Sequence, residues 1–249
     1  MSEFTDLVAV VTGGASGIGA ATVTTLRARG AFVASLDVND QPGGDADLAI
    51  RCDVGDSTST ANAIRSVVER FGRLDILINN AGIGATGDVA ANTDEEWARV
   101  LDINVVGIAR MTRAALPHLV ASPHAAIVNT CSVVAVVGVP QRALYSATKG
   151  AVAALTLAMA ADHVGQRVRV NAVVPGTAET PWVARLLGAA ADPEAAAAAL
   201  RARQPIGRLV TAEEVAHAIA YLASPLASST TGTLLAVDGG MTGVRLAPR

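Results

Sequence analysis

Residues 8–19 read VAVVTGGASGIG, an apolar run followed at once by a glycine-rich turn. Val8–Thr12 has the continuous β-branched character of a strand that is buried on both faces. Glycines in the turn allow tight backbone geometry and the close approach of a pyrophosphate to the N-terminus of the helix that follows. Such a turn also occurs in ordinary loops, but its position between a strand and a helix predicts a dinucleotide site.

The rest of the chain repeats the order of strand and then helix. Short apolar runs predict seven strands at Val8–Thr12, Phe32–Asp37, Leu48–Cys52, Ile76–Asn79, Ala126–Thr130, Val168–Val174 and Leu234–Val237. Helices are predicted at about Ile18–Arg29, Thr58–Phe71, Asp94–Leu119, Ser146–His163 and Glu213–Leu222. Because such crossovers are right-handed, helices should cover both faces. We therefore predict an α/β fold, one Rossmann-type, doubly wound parallel sheet forming a single catalytic domain over residues 1–249.

An alanine-rich stretch, about residues 181–208, has no predicted strand and follows Pro175-Gly176 at a strand end. We interpret it as a helical flap over a ligand site and call it the flap.

Composition narrows the classes of function. The net charge is −3 and lysines and arginines form no cluster, so we expect no nucleic-acid partner and a small-molecule substrate. The first residues lack the pattern of a targeting peptide, and the apolar runs fall short of the roughly 18 residues that span a bilayer, so we expect no membrane contact and a cytoplasmic location. Cys52 and Cys131 lie far apart without metal-type spacing, which predicts no metal site.

Asp37 ends the second predicted strand, roughly twenty residues beyond the glycines. A carboxylate there accepts hydrogen bonds from the adenosine ribose and repels a 2′-phosphate. The glycine turn contains no arginine or lysine, and Val38 and Asn39 follow Asp37, so we predict NAD rather than NADP. Taken alone, Asp37 is also a common strand-end turn residue.

Tyr145 and Lys149 lie four residues apart at the start of a predicted helix, so both project from one face. A bare pair of this kind is usually only a solvated helix pair. Here Ser132 follows a strand end and Asn104 lies within the preceding long helix, and strand ends border the ligand crevice in this architecture. The four residues therefore form a candidate catalytic set.

These motifs resemble the short-chain dehydrogenase/reductase family in order and spacing, over almost the whole chain. The residues that carry the resemblance are Thr12–Gly19, Asn79-Asn80-Ala81-Gly82, Asn104, Ser132, Tyr145–Lys149 and Pro175-Gly176. The resemblance implies that Tyr145 is the general acid and base, and that Ser132 holds the reacting oxygen. It also implies that Lys149 binds the nicotinamide ribose and stabilises the phenolate, and that Asn104 supports a water-linked proton path.

The same resemblance implies a set of cofactor-binding residues and an assembly. The set is Gly13, Ser16, Gly17, Ile18, Gly19, Asp37, Asp53, Val54, Asn80, Ala81, Gly82, Tyr145, Lys149, Pro175, Gly176, Ala178 and Thr180. Asp53 would meet the adenine amino group, although it fits equally well as a strand-end cap. Members of the family are usually homotetramers that pair through the helices corresponding to Asp94–Leu119 and Ser146–His163.

Residues that would choose the substrate are less clearly marked. Arg142 precedes Tyr145 by three residues, and Arg185 and Arg203 belong to the flap, so planar forks could grip a substrate carboxylate near the reacting carbon. Ser132 and Tyr145 are the candidate substrate contacts at the reacting oxygen. Solvated or interhelical arginines are an equally good interpretation. Trp182 could form an apolar wall.

Residues 175–181 and 203–208 resemble a subgroup that acts on hydroxy acids, sugars and deoxy-sugar acids, such as 3-hydroxybutyrate or 2-keto-3-deoxy-fuconate dehydrogenases. We therefore expect an NAD(H)-dependent oxidoreductase of a polar hydroxy acid or sugar-derived alcohol. The alternatives are a reductase of a more apolar ketone and a dinucleotide-binding redox sensor without turnover.

Overall fold

The computed structural model describes residues 2–39 and 45–246. Its strands are β1 (Val8–Thr12), β2 (Phe32–Asp37), β3 (Leu48–Arg51), β4 (Ile76–Asn79), β5 (Ala126–Thr130), β6 (Arg169–Pro175), β7 (Ala178–Glu179), β8 (Val210–Thr211) and β9 (Leu234–Val237). Seven of them form one parallel sheet in the order β3-β2-β1-β4-β5-β6-β9. The order reverses between β1 and β4, and ligands of open α/β sheets bind at the carboxyl ends of the strands at this reversal.

Helices cover both faces of the sheet. They are α1 (Gly17–Ala28), α2 (Ser57–Phe71), α3 (Asp94–Leu101), α4 (Gly107–Val120), α5 (Ala143–His163), α6 (Pro181–Gly188), α7 (Pro193–Ala202) and α8 (Ala212–Ala223). One apolar core joins the sheet to α1 and α8, and the other joins it to α2, α4 and α5. Alternate residues along a strand serve the two cores, since Val8 and Val10 face one and Ala9 and Val11 the other. The predicted doubly wound fold is confirmed.

Capping residues set several helix boundaries. The Asp56 carboxylate accepts hydrogen bonds from the amides of Thr58 and Ser59 at the start of α2. Gly72 ends that helix in the left-handed conformation, at φ 77°. Thr211 and Glu214 form a reciprocal capping box at the start of α8.

The long predicted helix Asp94–Leu119 is interrupted. A π-helical turn over Asp102–Val106 separates α3 from α4, and it contains the buried Asn104. Turns of this kind are rare and often occur at functional sites. Helix α5 begins three residues earlier than predicted, at Ala143, so Tyr145 lies in its first turn.

The flap consists of α6 and α7, and the short parallel pair of β7 and β8 joins the segments on either side of it. Within the described residues one helix, Ala143–Gln166, is long and apolar enough to cross a bilayer. A helix packed on a sheet meets the same criteria, and Leu144, Val152 and Met159 of α5 are buried.

Candidate active site

A cleft of about 390 Å³ opens at the carboxyl ends of β1 and β4, and we call it the dinucleotide cleft. It extends from Asp37 at one end to Tyr145 and Lys149 at the other. Most of the predicted cofactor residues line it: Gly13, Ser16, Gly17, Ile18, Asp37, Asp53, Val54, Asn80, Ala81, Gly82, Tyr145, Lys149 and Thr180.

The backbone of the glycine turn, residues 13–17, places the N-terminus of α1 at the dinucleotide cleft. Gly13 and Gly17 have φ angles of 63° and 54°, a region that side chains with a Cβ rarely adopt. Gly19 is buried, and a Cβ there would collide with the carbonyl oxygen of Gly13, so Gly19 allows close packing rather than forming the cleft wall. The amides at the N-terminus of α1 are thus suited to a pyrophosphate.

Asp37 lines the cleft, and its carboxylate also accepts hydrogen bonds from nearby residues. One carboxylate oxygen accepts from the Ala15 amide at 3.1 Å, and the other accepts from the amide and side chain of Asn39. The sheet also brings Arg51 alongside, as the register partner of Asp37 on β3, and its Nε donates to the Val38 carbonyl at 3.4 Å. The residues next to Asp37 in the sequence do not indicate that Arg51 lies nearby, because only strand pairing brings the two together.

Asp53 lines the cleft, and its carboxylate accepts from the Gly55 amide at 2.8 Å, as a strand-end cap does. Thr12 was not predicted as a site residue, yet it joins the strand ends. Its hydroxyl accepts from the amides of Asn80 and Ala81 at 2.9 and 3.0 Å, and Asn80 Nδ2 donates to the carbonyls of Thr12 and Gly13.

Lys149 is fixed below Tyr145. It is the only lysine in the sequence, its residue is 4% exposed, and its Nζ donates to the Thr130 carbonyl at 2.8 Å. The same ammonium lies 5.7 Å from the centroid of the Tyr145 ring. A buried cation held by a neutral acceptor is available to stabilise negative charge on the phenol oxygen.

Asn104 connects the π-helical turn to α5. Its side chain accepts from the Ile83 amide at 2.8 Å and donates to the Ile83 carbonyl and to the Thr148 hydroxyl. The Thr148 hydroxyl donates in turn to the Tyr145 carbonyl at 2.8 Å. A Cβ at Gly82 would lie 3.1 Å from Asn104 Oδ1, so glycine keeps this space open.

A second cavity of about 410 Å³, the flap cavity, lies between the strand ends and the flap. Five residues line both the dinucleotide cleft and the flap cavity: Ile18, Thr130, Tyr145, Thr180 and Trp182. Ser132 and Cys131 line the flap cavity only, and burial raises the pKa of the Cys131 thiol, which favours its neutral form. The two cavities therefore meet at Tyr145.

Apolar side chains form most of the flap cavity, and several of them come from the flap: Val183, Leu186, Leu187, Ala196, Ala199 and Leu200. Their i, i+3, i+4 spacing along the sequence is that of one apolar face on each flap helix, and it marks these residues as a cavity wall.

Several predicted site residues take other positions. Pro175, Gly176 and Ala178 line the flap cavity rather than the dinucleotide cleft, because β6 and β7 lie on that side. Of the predicted substrate residues, Arg142, Trp182 and Arg203 line the flap cavity. Arg185 does not line it. Val183, Leu186 and Leu187 turn one face of α6 inward, which leaves Arg185 on the exposed side.

Comparison with known proteins agrees with this geometry. A family model described as enoyl-(acyl carrier protein) reductase matches residues 13–242. The chain is 44% identical to cis-4-hydroxycyclohexanecarboxylate dehydrogenase of Sinomonas cyclohexanicum, over 97% of this chain and 98% of that one. It is 39% identical to 2-(S)-hydroxypropyl-CoM dehydrogenase 3 of Xanthobacter autotrophicus, over 95% and 97% of the two chains. The ligand-free aldohexose dehydrogenase of Thermoplasma acidophilum superposes with a TM-score of 0.92 at 33% identity, covering 100% and 98%.

The fold and the site define an oxidoreductase that acts on CH–OH groups with a nicotinamide cofactor. The chain belongs to the short-chain dehydrogenase/reductase family, as its motifs predicted.

Proposed function

We propose that this protein is an NAD(H)-dependent dehydrogenase that interconverts a secondary alcohol and its ketone within one catalytic domain. The observation that supports this most directly is the position of Tyr145, which lines both the dinucleotide cleft and the flap cavity. An alcohol in the flap cavity then reaches the phenol from one side while a dinucleotide occupies the other.

The chain supplies the proton chemistry. Tyr145 Oη removes the hydroxyl proton of the alcohol, and Ser132 Oγ holds the reacting oxygen by a hydrogen bond. The residues that line the dinucleotide cleft would hold a nicotinamide dinucleotide, which would supply the hydride acceptor for oxidation and the hydride donor for reduction. Lys149, whose Nζ lies 5.7 Å from the centroid of the Tyr145 ring, is the positive charge available to stabilise negative charge on Oη. Asn104 keeps the first turn of α5 in place through Thr148.

NAD is the proposed cofactor because Asp37 lines the cleft beside the glycine turn, where its carboxylate accepts from the Ala15 amide. Its carboxylate can accept from ribose hydroxyls, whereas a 2′-phosphate would add a second negative charge beside it. Arg51 is the nearby base, but its Nε donates to the Val38 carbonyl and it does not line the cleft.

The proposed substrate is a short or monocyclic hydroxy acid. The flap cavity is largely apolar, which suits a hydrocarbon body better than a sugar with many hydroxyls. The relative from Sinomonas, by its name, acts on a cyclic hydroxy acid.

A panel of alcohols tests the function. Purified protein is mixed with NAD and, in turn, 3-hydroxybutyrate, 4-hydroxycyclohexanecarboxylate, cyclohexanol and an aldohexose, and NADH formation is followed by absorbance. Tyr145→Phe should lower turnover by about 10²- to 10⁴-fold. Tyr221, the other tyrosine of the chain, lies on α8 and is 51% exposed. The control variant Tyr221→Phe should therefore retain full activity.

Three results would overturn the proposal. Undiminished turnover by Tyr145→Phe would show that the Tyr145 phenol is not the general acid and base. Equal use of NADPH by the unmodified protein removes the preference for NAD. Binding of NAD without oxidation of any alcohol in the panel favours a redox sensor.

We also propose a cytoplasmic homotetramer that pairs through α4 and α5. Apolar side chains at and near these helices are exposed in the single chain: Val106, Val120, Leu157 and Val164. Light scattering should give the mass of four chains, and Leu157→Arg should yield a smaller species with an unchanged circular dichroism spectrum. A monomeric unmodified protein at micromolar concentration would contradict the tetramer.

A further inference from the structure

The flap cavity carries positive charge without a matching carboxylate. Arg142 and Arg203 are the charged residues among its lining side chains, and the rest of the lining is neutral and mostly apolar. Within residues 2–39 and 45–246, neither arginine forms an ion pair with another side chain. Unpaired guanidinium groups at the wall of an apolar cavity are costly unless a ligand brings the counter-charge.

Arg142 is held in place before any ligand binds. Its Nη1 donates to the Thr86 hydroxyl and to the Gln141 carbonyl, both at 2.9 Å, and both acceptors are neutral. Gln141 has a φ of 59°, a conformation that is uncommon for a residue with a side chain. Hydrogen bonds from the Gly87 amide to Gln141 and from Ala143 to the Gly87 carbonyl fix the backbone on both sides of Arg142. The guanidinium is therefore preorganised at the start of the helix that carries Tyr145.

Arg203 approaches from the flap. It follows α7 directly, and it is exposed, whereas Arg142 is half-buried. Burial lowers the pKa of the Arg142 guanidinium, and the charge of Arg203 lowers this pKa further. The two cations therefore repel each other across the cavity, and an anion between them would attract both and offset this repulsion.

We infer that Arg142 and Arg203 bind the carboxylate of the substrate, with its apolar body against the flap and its carbinol carbon at Tyr145. This inference rests on the proposed dehydrogenase function and specifies the substrate class. Arg142 is the N-cap residue of α5 and Tyr145 lies in the first turn of that helix, and both line the flap cavity. The carboxylate and the carbinol carbon should accordingly be separated by a small saturated spacer, such as a ring or a short chain.

Binding of an unreactive acid tests the site without turnover. Protein saturated with NAD is titrated calorimetrically with cyclohexanecarboxylate, which has no hydroxyl group, and with the neutral cyclohexanecarboxamide. Charge-assisted hydrogen bonds are worth about 1.5–3 kcal/mol, so Arg142→Gln should weaken acid binding by about 10- to 100-fold. Arg203→Gln should weaken it by about threefold because solvent screens an exposed charge.

Matched variants separate charge recognition from folding. Arg201→Gln changes an exposed arginine on α7 that does not line the cavity, and it should leave the Kd unchanged. Arg142→Lys keeps the charge but loses the planar fork, so its Kd should fall between those of the unmodified protein and Arg142→Gln. Equal affinity for the acid and the amide, or an unchanged Kd in Arg142→Gln, would overturn the inference.

Kinetics distinguish a failure of this inference from a failure of the proposed function. We expect the unmodified enzyme to prefer 3-hydroxybutyrate over its methyl ester by at least tenfold in kcat/KM, and Arg142→Gln to abolish that preference mainly through KM. Equal oxidation of acid and ester would leave the dehydrogenase intact and refute the carboxylate site. Acid binding that depends on Arg142, without oxidation of any alcohol, would support the anion site and refute the dehydrogenase.

Discussion

The contact between Gly84 and Trp182 provides a sharp test of how the flap is held. Gly84 follows β4 in the loop that lines the dinucleotide cleft, and Trp182 begins α6 and lines both cavities. A Cβ added at Gly84 would lie 2.3 Å from Cζ2 of the indole. The backbone of Gly84 does not have a positive φ, and the three atoms nearest to an added Cβ all belong to the indole. We therefore predict that Gly84→Ala displaces Trp182.

The size of the effect follows from the distance. Carbon atoms in contact are about 3.5 Å apart, so the indole must move by about 3.5 − 2.3 = 1.2 Å. Trp182 is 39% exposed and can move outward, so the cost in stability should stay below the 1–3 kcal/mol of an overpacked core. The flap side chains on α6 move with it, and a misplacement of about 1 Å near a reacting substrate can cost about 100-fold in rate.

The assay is a double-mutant cycle. The kcat/KM of Gly84→Ala should fall by about 10- to 100-fold, and Trp182 fluorescence, measured in a Trp97→Phe background, should shift. In a Trp182→Ala background the same glycine substitution should have no further effect, because the clash is gone. A kcat/KM within twofold of the unmodified enzyme, with unchanged fluorescence, would refute the reasoning.

Three further predictions address the cofactor, the residue before the central strand β4, and the ion pair between the last residue of the flap and α8. Asp37→Ala should weaken NAD binding by about tenfold and reduce the discrimination against NADP, as measured by titration of both cofactors, and an unchanged NAD affinity would contradict the role of Asp37. Asp75 is fully buried directly before β4, and its carboxylate accepts from the Val8 amide and from Arg73. Asp75→Ala should therefore lower the free energy of unfolding, measured by urea denaturation, by about 3 kcal/mol. The kcat of the folded enzyme should stay the same. The Arg208 guanidinium lowers the pKa of Glu214 from 4.5 to about 2, which adds stability above pH 4.5 that disappears as the pH falls through 2. At pH 7, Glu214→Gln should therefore be less stable than the unmodified protein. The difference between their free energies of unfolding should decrease as the pH falls from 4.5 to 2. A difference that does not change with pH would contradict a stabilising role for this ion pair.

The sequence by itself determined the sheet and the chemical identity of the site. Strand and helix periods depend only on neighbouring residues, so the seven strands could be predicted to within a residue or two. The glycines, Tyr145 and Lys149 were found because their spacing along one turn and one helix already fixes their relative positions. The Asp94–Leu119 helix was predicted without its π-helical turn, because the turn brings Asn104 to Ile83, a partner twenty-one residues away.

Only the tertiary structure decided which side chains share a cavity. Arg51 reaches Asp37 by strand pairing, Thr12 joins two strand ends, and Gly84 meets Trp182 across the cleft. Arg142 and Arg203 are sixty-one positions apart and line one cavity because the flap forms one wall of it and the start of α5 another. Arg185, on the same flap helix as Val183 and Leu186, lies on the exposed side instead. Local sequence patterns encode the backbone period and the geometry of neighbouring residues. Contacts between distant segments depend instead on how whole helices and strands pack together. This packing brings residues with no common sequence pattern into one cavity.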